Sequence, residues 1–213
     1  MKAIMVMFDS LNRHMLPPYG CGLKGERRKS LVQTIDIPAT ILEYFGIALP
    51  DDMQGKPLRD TINSDKPVRK AGLFGMHGGH VNCTDGRYVY MRGAADEDNS
   101  PLYEYTLMPT HMHRTFAPEE LHGIEKLNEP FSFTKGCKTL KIKSGAGGWP
   151  GTGGGIDKTL LFDTDKDPTQ KSPVQDQELE GRMIELLVGC MKENNAPAEQ
   201  FERLGLERDV YFP

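Results

Sequence analysis

The sequence predicts an α/β protein in which a buried strand opens the chain and an antiparallel sheet of about four strands, packed by a helix, makes up the C-terminal part. Three observations predict it. Ala3 to Phe8 is an unbroken apolar run without helical spacing, the pattern of a strand covered on both faces. SLVQTIDIPATILEYFGIALP holds one clear helix with a glycine stop. From residue 71 the apolar period shortens to that of short strands, and an amphipathic segment follows at about 174 to 194. Two regions follow from this change of pattern, 1–70 and 71–213.

The opening strand runs into Phe8-Asp9-Ser10. In open α/β sheets ligands bind at the carboxyl ends of strands, so an acidic residue at that end, Asp9, is a candidate site residue. The stretch LPPYGCGLKGERRKS then has no periodicity and reads as a surface loop. In the helix, Asp36 is placed as N-cap, Pro38 is tolerated in the first turn, and Gly46 supplies the left-handed stop. Ile41, Tyr44 and Phe45, at i, i+3 and i+4, give it an apolar face. AGLFGMH, GGHVNCT and RYVYMR read as three strands, the last two joined by the turn dipeptide Asp85-Gly86. PLYEYTLM, with alternating Tyr103, Tyr105 and Leu107, continues this meander. APEELHGIEKL is a short helix beginning near Pro118, TLLFDTDKDPTQKSP ends in a turn before the amphipathic helix, and a last short helix follows Pro197.

With 213 residues, 26% charged, 38% hydrophobic and a net charge of -4, the chain has a globular composition and no basic excess, which argues against a nucleic-acid surface. Cys21, Cys83, Cys137 and Cys190 lack CxxC spacing and read as free thiols. No stretch approaches about 18 continuous apolar residues, so no membrane partner is expected, and a cytoplasmic location is.

Four segments carry a resemblance. IMVMFDSLNRHMLPPYG, SLVQTIDIPATILEYFGIALPDDMQGKPLRDTI, VNCTDGRYVYMRG and LLFDTDKDPTQKSP, in this order, resemble the sulfatase family of the alkaline-phosphatase-like superfamily. The resemblance implies an alkaline-phosphatase-like core, hydrolysis of a small-molecule sulfate ester, and a divalent metal, calcium in the parent family, with Asp9 as a ligand. The family's Cys-x-Pro-x-Arg or Ser-x-Pro-x-Arg nucleophile motif, source of formylglycine, has no counterpart here. The nearest stretch, Ser64-Asp65-Lys66-Pro67-Val68-Arg69, has one residue too many and reads as a charged linker. The family's Asp-His-Gly pair is also missing between Tyr19 and Ser30, so the core is expected to be incomplete, with a seam near Gly20 to Gly25.

Without nucleophile and most metal ligands, sulfate-ester chemistry lacks its parts. Three readings therefore stand: a catalytically inactive sulfatase-family chain, a non-catalytic binding or oligomerisation module, and a related metal-dependent phosphoesterase or phosphonate monoester hydrolase. Homo-oligomerisation is expected where the missing block leaves apolar faces uncovered, with repacking of the C-terminal part as the alternative.

Other motifs have ordinary readings. His77, His80, His111 and His113 are expected as surface or turn histidines rather than a metal set. Asp163, Asp165 and Asp167 read as a solvated turn, since the glycine and glutamate of a calcium loop are absent. SGAGGWPGTGGG does not follow a strand into a helix, so it is not read as a phosphate cradle. Lys24, Arg27, Arg28 and Lys29 form a solvated basic run.

Overall fold

The computed structural model describes residues 28–108, 110–111, 114–122, 124, 127–144 and 157–207. The protein is mixed α/β with antiparallel sheets, and it divides into two compact units, Met1–Arg69 and Lys70–Pro213. The Ala3 to Phe8 strand expected from the sequence, and Asp9 with it, lie outside the described residues.

In the first unit, α1 (Asp36–Phe45) ends on Gly46, whose φ of 72° is the left-handed conformation glycine adopts without steric cost. Asp36 is not its N-cap; Ile35 is, and Asp36 is the fully buried first helical residue. Of the expected apolar face, Ile41 is half-buried while Tyr44 and Phe45 are exposed. A second helix, α2 (Arg59–Ser64), occupies part of what reads as a charged linker. At six residues it is too short to show a period. Tertiary bonds hold it instead: Thr61 donates its hydroxyl to Lys66 O (2.6 Å), and Arg28 donates to Ile62 O at its C-terminal end (2.8 Å).

In the second unit, β1 (Gly72–Gly75), β2 (Val81–Thr84) and β3 (Tyr88–Arg92) form the expected meander, with Asp85-Gly86 at the β2–β3 turn. β4 (Tyr103–Thr106) does not extend it. It pairs with β5 (Leu140–Lys143) in a separate two-stranded sheet, and the fourth strand beside β3 is β6 (Leu160–Asp163). α3 (Pro118–Leu121) is one turn long, with the Glu120 carboxylate accepting the Ala117 N–H at 2.7 Å.

α4 (Gln177–Glu193) starts at Asp176, whose side chain accepts the Leu179 N–H at 3.0 Å. It packs on β1 and β2. Met183, Leu187 and Met191, at helical spacing, meet the registered row Cys83, Tyr90 and Leu161 of the sheet in one core. Phe201 of α5 (Ala198–Arg203), with Leu204 and Leu206, completes it.

Candidate functional site

The polar residues of the segments singled out in the sequence are where chemistry would be sought, and the structure gives Asp36, Asp85, Arg87, Asp163 and Asp167 structural partners. The Asp36 carboxylate accepts the backbone N–H of Gln33 (2.8 Å) and Lys56 (2.9 Å) and pairs with the Arg69 guanidinium. Burial pushes this carboxyl up, but the Arg69 bonds and the two N–H groups outweigh it and hold it below the ordinary value. Ser64 and Arg69 do not face a common point: Ser64 donates to Asp60 O within α2 (2.9 Å), while Arg69 is spent on Asp36.

Asp85 accepts the Arg87 and Tyr88 N–H groups (3.0 and 2.8 Å) and pairs with Arg182 (2.9 Å), which fixes the β2–β3 turn. Arg87 in turn grips Asp163 in two-pronged fashion, at 3.2 and 2.7 Å. Asp163 is therefore a buried strand-end residue, 4% exposed, and not part of a solvated turn. Arg87 holds its carboxyl below the usual range. Asp165 is exposed, and Asp167 accepts the Lys171 and Ser172 N–H groups at 2.6 and 2.7 Å, closing the turn after β6. No one point collects these carboxylates, and among the described residues no group of three His, Cys, Asp or Glu is arranged to hold a metal ion. The divalent site implied by the resemblance thus has no ligand set in this part of the chain. Lys24, Arg27, His113 and residues 145–156 of the glycine-rich run lie outside the described residues, as does Cys21; Cys83, Cys137 and Cys190 form no disulfide with one another.

His77 and His111 take part in a longer polar chain. His77 Nε2 lies 3.0 Å from Ser144 Oγ, which donates to Glu104 Oε1 at 3.2 Å. Glu104 Oε2 lies 3.3 Å from His111 Nδ1, and His111 Nε2 lies 2.7 Å from Glu120, which Arg114 also holds at 2.7 Å. The Ser–His contact has the spacing of a nucleophile and its base. The proton count excludes that role. A serine hydroxyl has one proton; with Glu104 accepting it, His77 must donate to Ser144 and is no base for it. The expectation of surface or turn histidines holds for exposed His77; His80 is half-buried and meets Lys158 O at 2.8 Å, and His111 is half-buried and clamped between two carboxylates.

The second unit also carries a concave feature among its described residues. A groove of about 640 Å³ lies between the end of β4, residues 131–139 and the link from α4 to α5. Phe131 and Phe133 stack within 4° of parallel at 5.4 Å, and Tyr105 meets Phe131 edge-on at 5.2 Å. Neither phenylalanine is singled out by the sequence reading. The alternation Phe131-Ser132-Phe133 is a weak signal because a two-residue period without a flanking strand has no definite partner.

No protein-family model matches the chain, and no curated protein matches it.

Proposed function

We propose that the chain is a sulfatase-type member of the alkaline-phosphatase-like superfamily whose described residues are scaffold, and that this polypeptide does not turn over sulfate esters. The observation that carries the reading is the employment of the shared polar residues. Asp36, Asp85, Arg87, Asp163 and Asp167, all within family-like segments, are engaged in closing turns and pairing strands, which is what residues retained for architecture do. The sequence adds the order of the four segments and the absence of a nucleophile motif. Self-association belongs to the same proposal, supported by the exposed Val32, Ile35, Tyr44, Phe45 and Ile47 of the first unit.

The test is an assay of the purified chain on 4-nitrophenyl sulfate and 4-nitrophenyl phosphate with calcium present, alongside sedimentation equilibrium of the same preparation. No hydrolysis above background and a concentration-dependent mass are expected. Turnover that disappears on Asp9→Ala would overturn the inactive reading, and a monomer at every concentration would overturn the self-association.

A non-catalytic binding module is the second reading, favoured by the aromatic groove.

A further inference from the structure

Two thiols meet in the core of the second unit. Cys83 of β2 belongs to the registered row Cys83, Tyr90 and Leu161 that packs against α4, and it is fully buried. On α4, Cys190 stands three residues after Leu187 and seven after Met183, so it shares their core-facing side. It packs against the same cluster, and the two thiols are hydrogen-bonded to each other. Cys137, the third described cysteine, is exposed and lies before β5.

A cysteine in a core is often a small hydrophobe and nothing more. What sets this pair apart is sulfur against sulfur, on two elements remote in sequence. A structural metal would need further ligands beside the two thiols. None joins them, since no three His, Cys, Asp or Glu among the described residues are arranged to hold a metal ion. Oxidation of the pair is the chemistry left. The two sulfurs are also unequal. Cys83 has no exposed surface, whereas Cys190 is half-buried, and beside it Gly189 is exposed with open space where a side chain would stand. The hydrogen bond to Cys190, and then burial, push the Cys83 thiol up, so it keeps its proton. A thiolate formed on Cys190 thus has a donor beside it, which is how a thiolate is stabilised.

We propose that Cys83 and Cys190 are a redox site, oxidised by hydrogen peroxide to a disulfide that ties α4 to β2. The Cys190 thiolate attacks one peroxide oxygen: an S–O bond forms, the O–O bond breaks, and hydroxide leaves and is protonated to water. The Cys83 sulfur then attacks the Cys190 sulfenic acid. The S–S bond forms, the S–O bond breaks, and the leaving hydroxyl takes the Cys83 proton as a second water. Two thiols lose two electrons in all, and one peroxide is reduced to two waters. The bridge closes a loop of about 100 residues, a length at which a disulfide strongly restricts the unfolded chain.

The full chain is treated with hydrogen peroxide at neutral pH, quenched with catalase and digested with trypsin without reductant. Residues 71–87 and 183–192, the tryptic peptides that hold Cys83 and Cys190, are expected as one linked pair by mass spectrometry, separated by dithiothreitol. The melting temperature is expected to rise by about 5–15 °C on oxidation. Dithiothreitol is expected to reverse the rise, which distinguishes it from any effect of methionine sulfoxide, a product this reagent leaves in place. Cys190→Ser, at a half-buried position, is expected to fold and to lose both the linked pair and the rise. Cys83→Ala is expected to strand Cys190 as a sulfenic acid that dimedone captures, and Cys137→Ser to change nothing. The proposal is overturned by Cys83 and Cys190 remaining thiols after exposed Cys137 has been consumed, by either of them pairing with Cys21 or Cys137 instead, by a bridge found only between chains, or by a bridged chain that melts no higher than the reduced one.

Discussion

Asp36 is fully buried, and its carboxylate gathers three stretches of the first unit: Gln33 before α1, Lys56 twenty residues on, and Arg69 at the unit's end. A buried carboxylate is tolerable because these donors replace its water, and the Arg69 side chain, 8% exposed, is nearly as dry. Removing one partner therefore costs more than the pair contributes. Arg69→Met is expected to destabilise the first unit by about 3 kcal/mol, since an uncompensated buried anion remains. Adding Asp36→Asn to it is expected to cost less than the sum of the two single changes, with a coupling of about 1–3 kcal/mol. Hydrogen exchange of residues 28–69 measures this. Strict additivity would show that the two groups do not depend on each other.

At the scale of elements, the connection from α1 to α2 depends on a residue without a side chain. A Cβ built on Gly55 would lie 1.9 Å from Ile35 O and 2.7 Å from Ile35 C, backbone atoms that cannot swing aside. That close approach is what brings Lys56 N within 2.9 Å of Asp36. Gly55→Ala is expected to cost about 2 kcal/mol or more and to separate the loop from the α1 start. Proteolysis confined to residues near 55 would report the separation; unchanged exchange at Lys56 N would contradict it. Gly55 stands in the sequence as one glycine of a loop, but the reason for it became visible only with Ile35 opposite. The same holds elsewhere. The Gly46 stop, the Asp85-Gly86 hairpin and the α4 stripe were legible because each is a local rule: a left-handed glycine, a two-residue turn, a 3.6-residue period. Tyr103 and Tyr105 marked β4 as a strand, yet alternation carries no information on pairing, and the strand joined β5 instead of the meander. Asp36 was misplaced as an N-cap because an acidic residue at a helix start fits the cap and the buried ion pair equally well on local grounds. Of the candidate groove, only the β4 end, Tyr105 and Leu107, was in view, since its remaining walls come from segments about 25 and 90 residues further on.

Across the molecule, the shifted carboxyls act in one direction on acidification. The carboxyls of Asp36, Asp85, Asp163 and Asp167 all lie below their ordinary value of 3.8, and Arg114, with the Ala117 N–H and His111, brings Glu120 down from 4.5 to about 2. A group whose folded pKa is depressed binds fewer protons folded than unfolded near that pH. Its stabilisation is thus complete above the unfolded value and lost as pH falls toward the folded one. For these carboxyls the loss falls below about pH 4.5. His77, exposed as a residue but with its ring partly packed, is depressed as well, first by desolvation of that ring and also by the Arg203 charge, with Glu104 opposing. Folding therefore favours its neutral ring, and its loss of stability begins earlier, as pH falls through the unfolded value of 6.5. Melting temperature is accordingly expected to decline in two stages on acidification: a shallow one from about pH 6.5 and a steep one below about pH 4.5. His77→Gln keeps a side chain that donates to Ser144 but cannot titrate, so it is expected to remove the shallow stage and leave the steep one. A His77→Gln protein that still weakens between pH 6.5 and 5 would place the first titration on another group, and a wild-type curve flat to pH 4.5 would show that the His77 ring is as easily protonated in the folded chain as in the unfolded one.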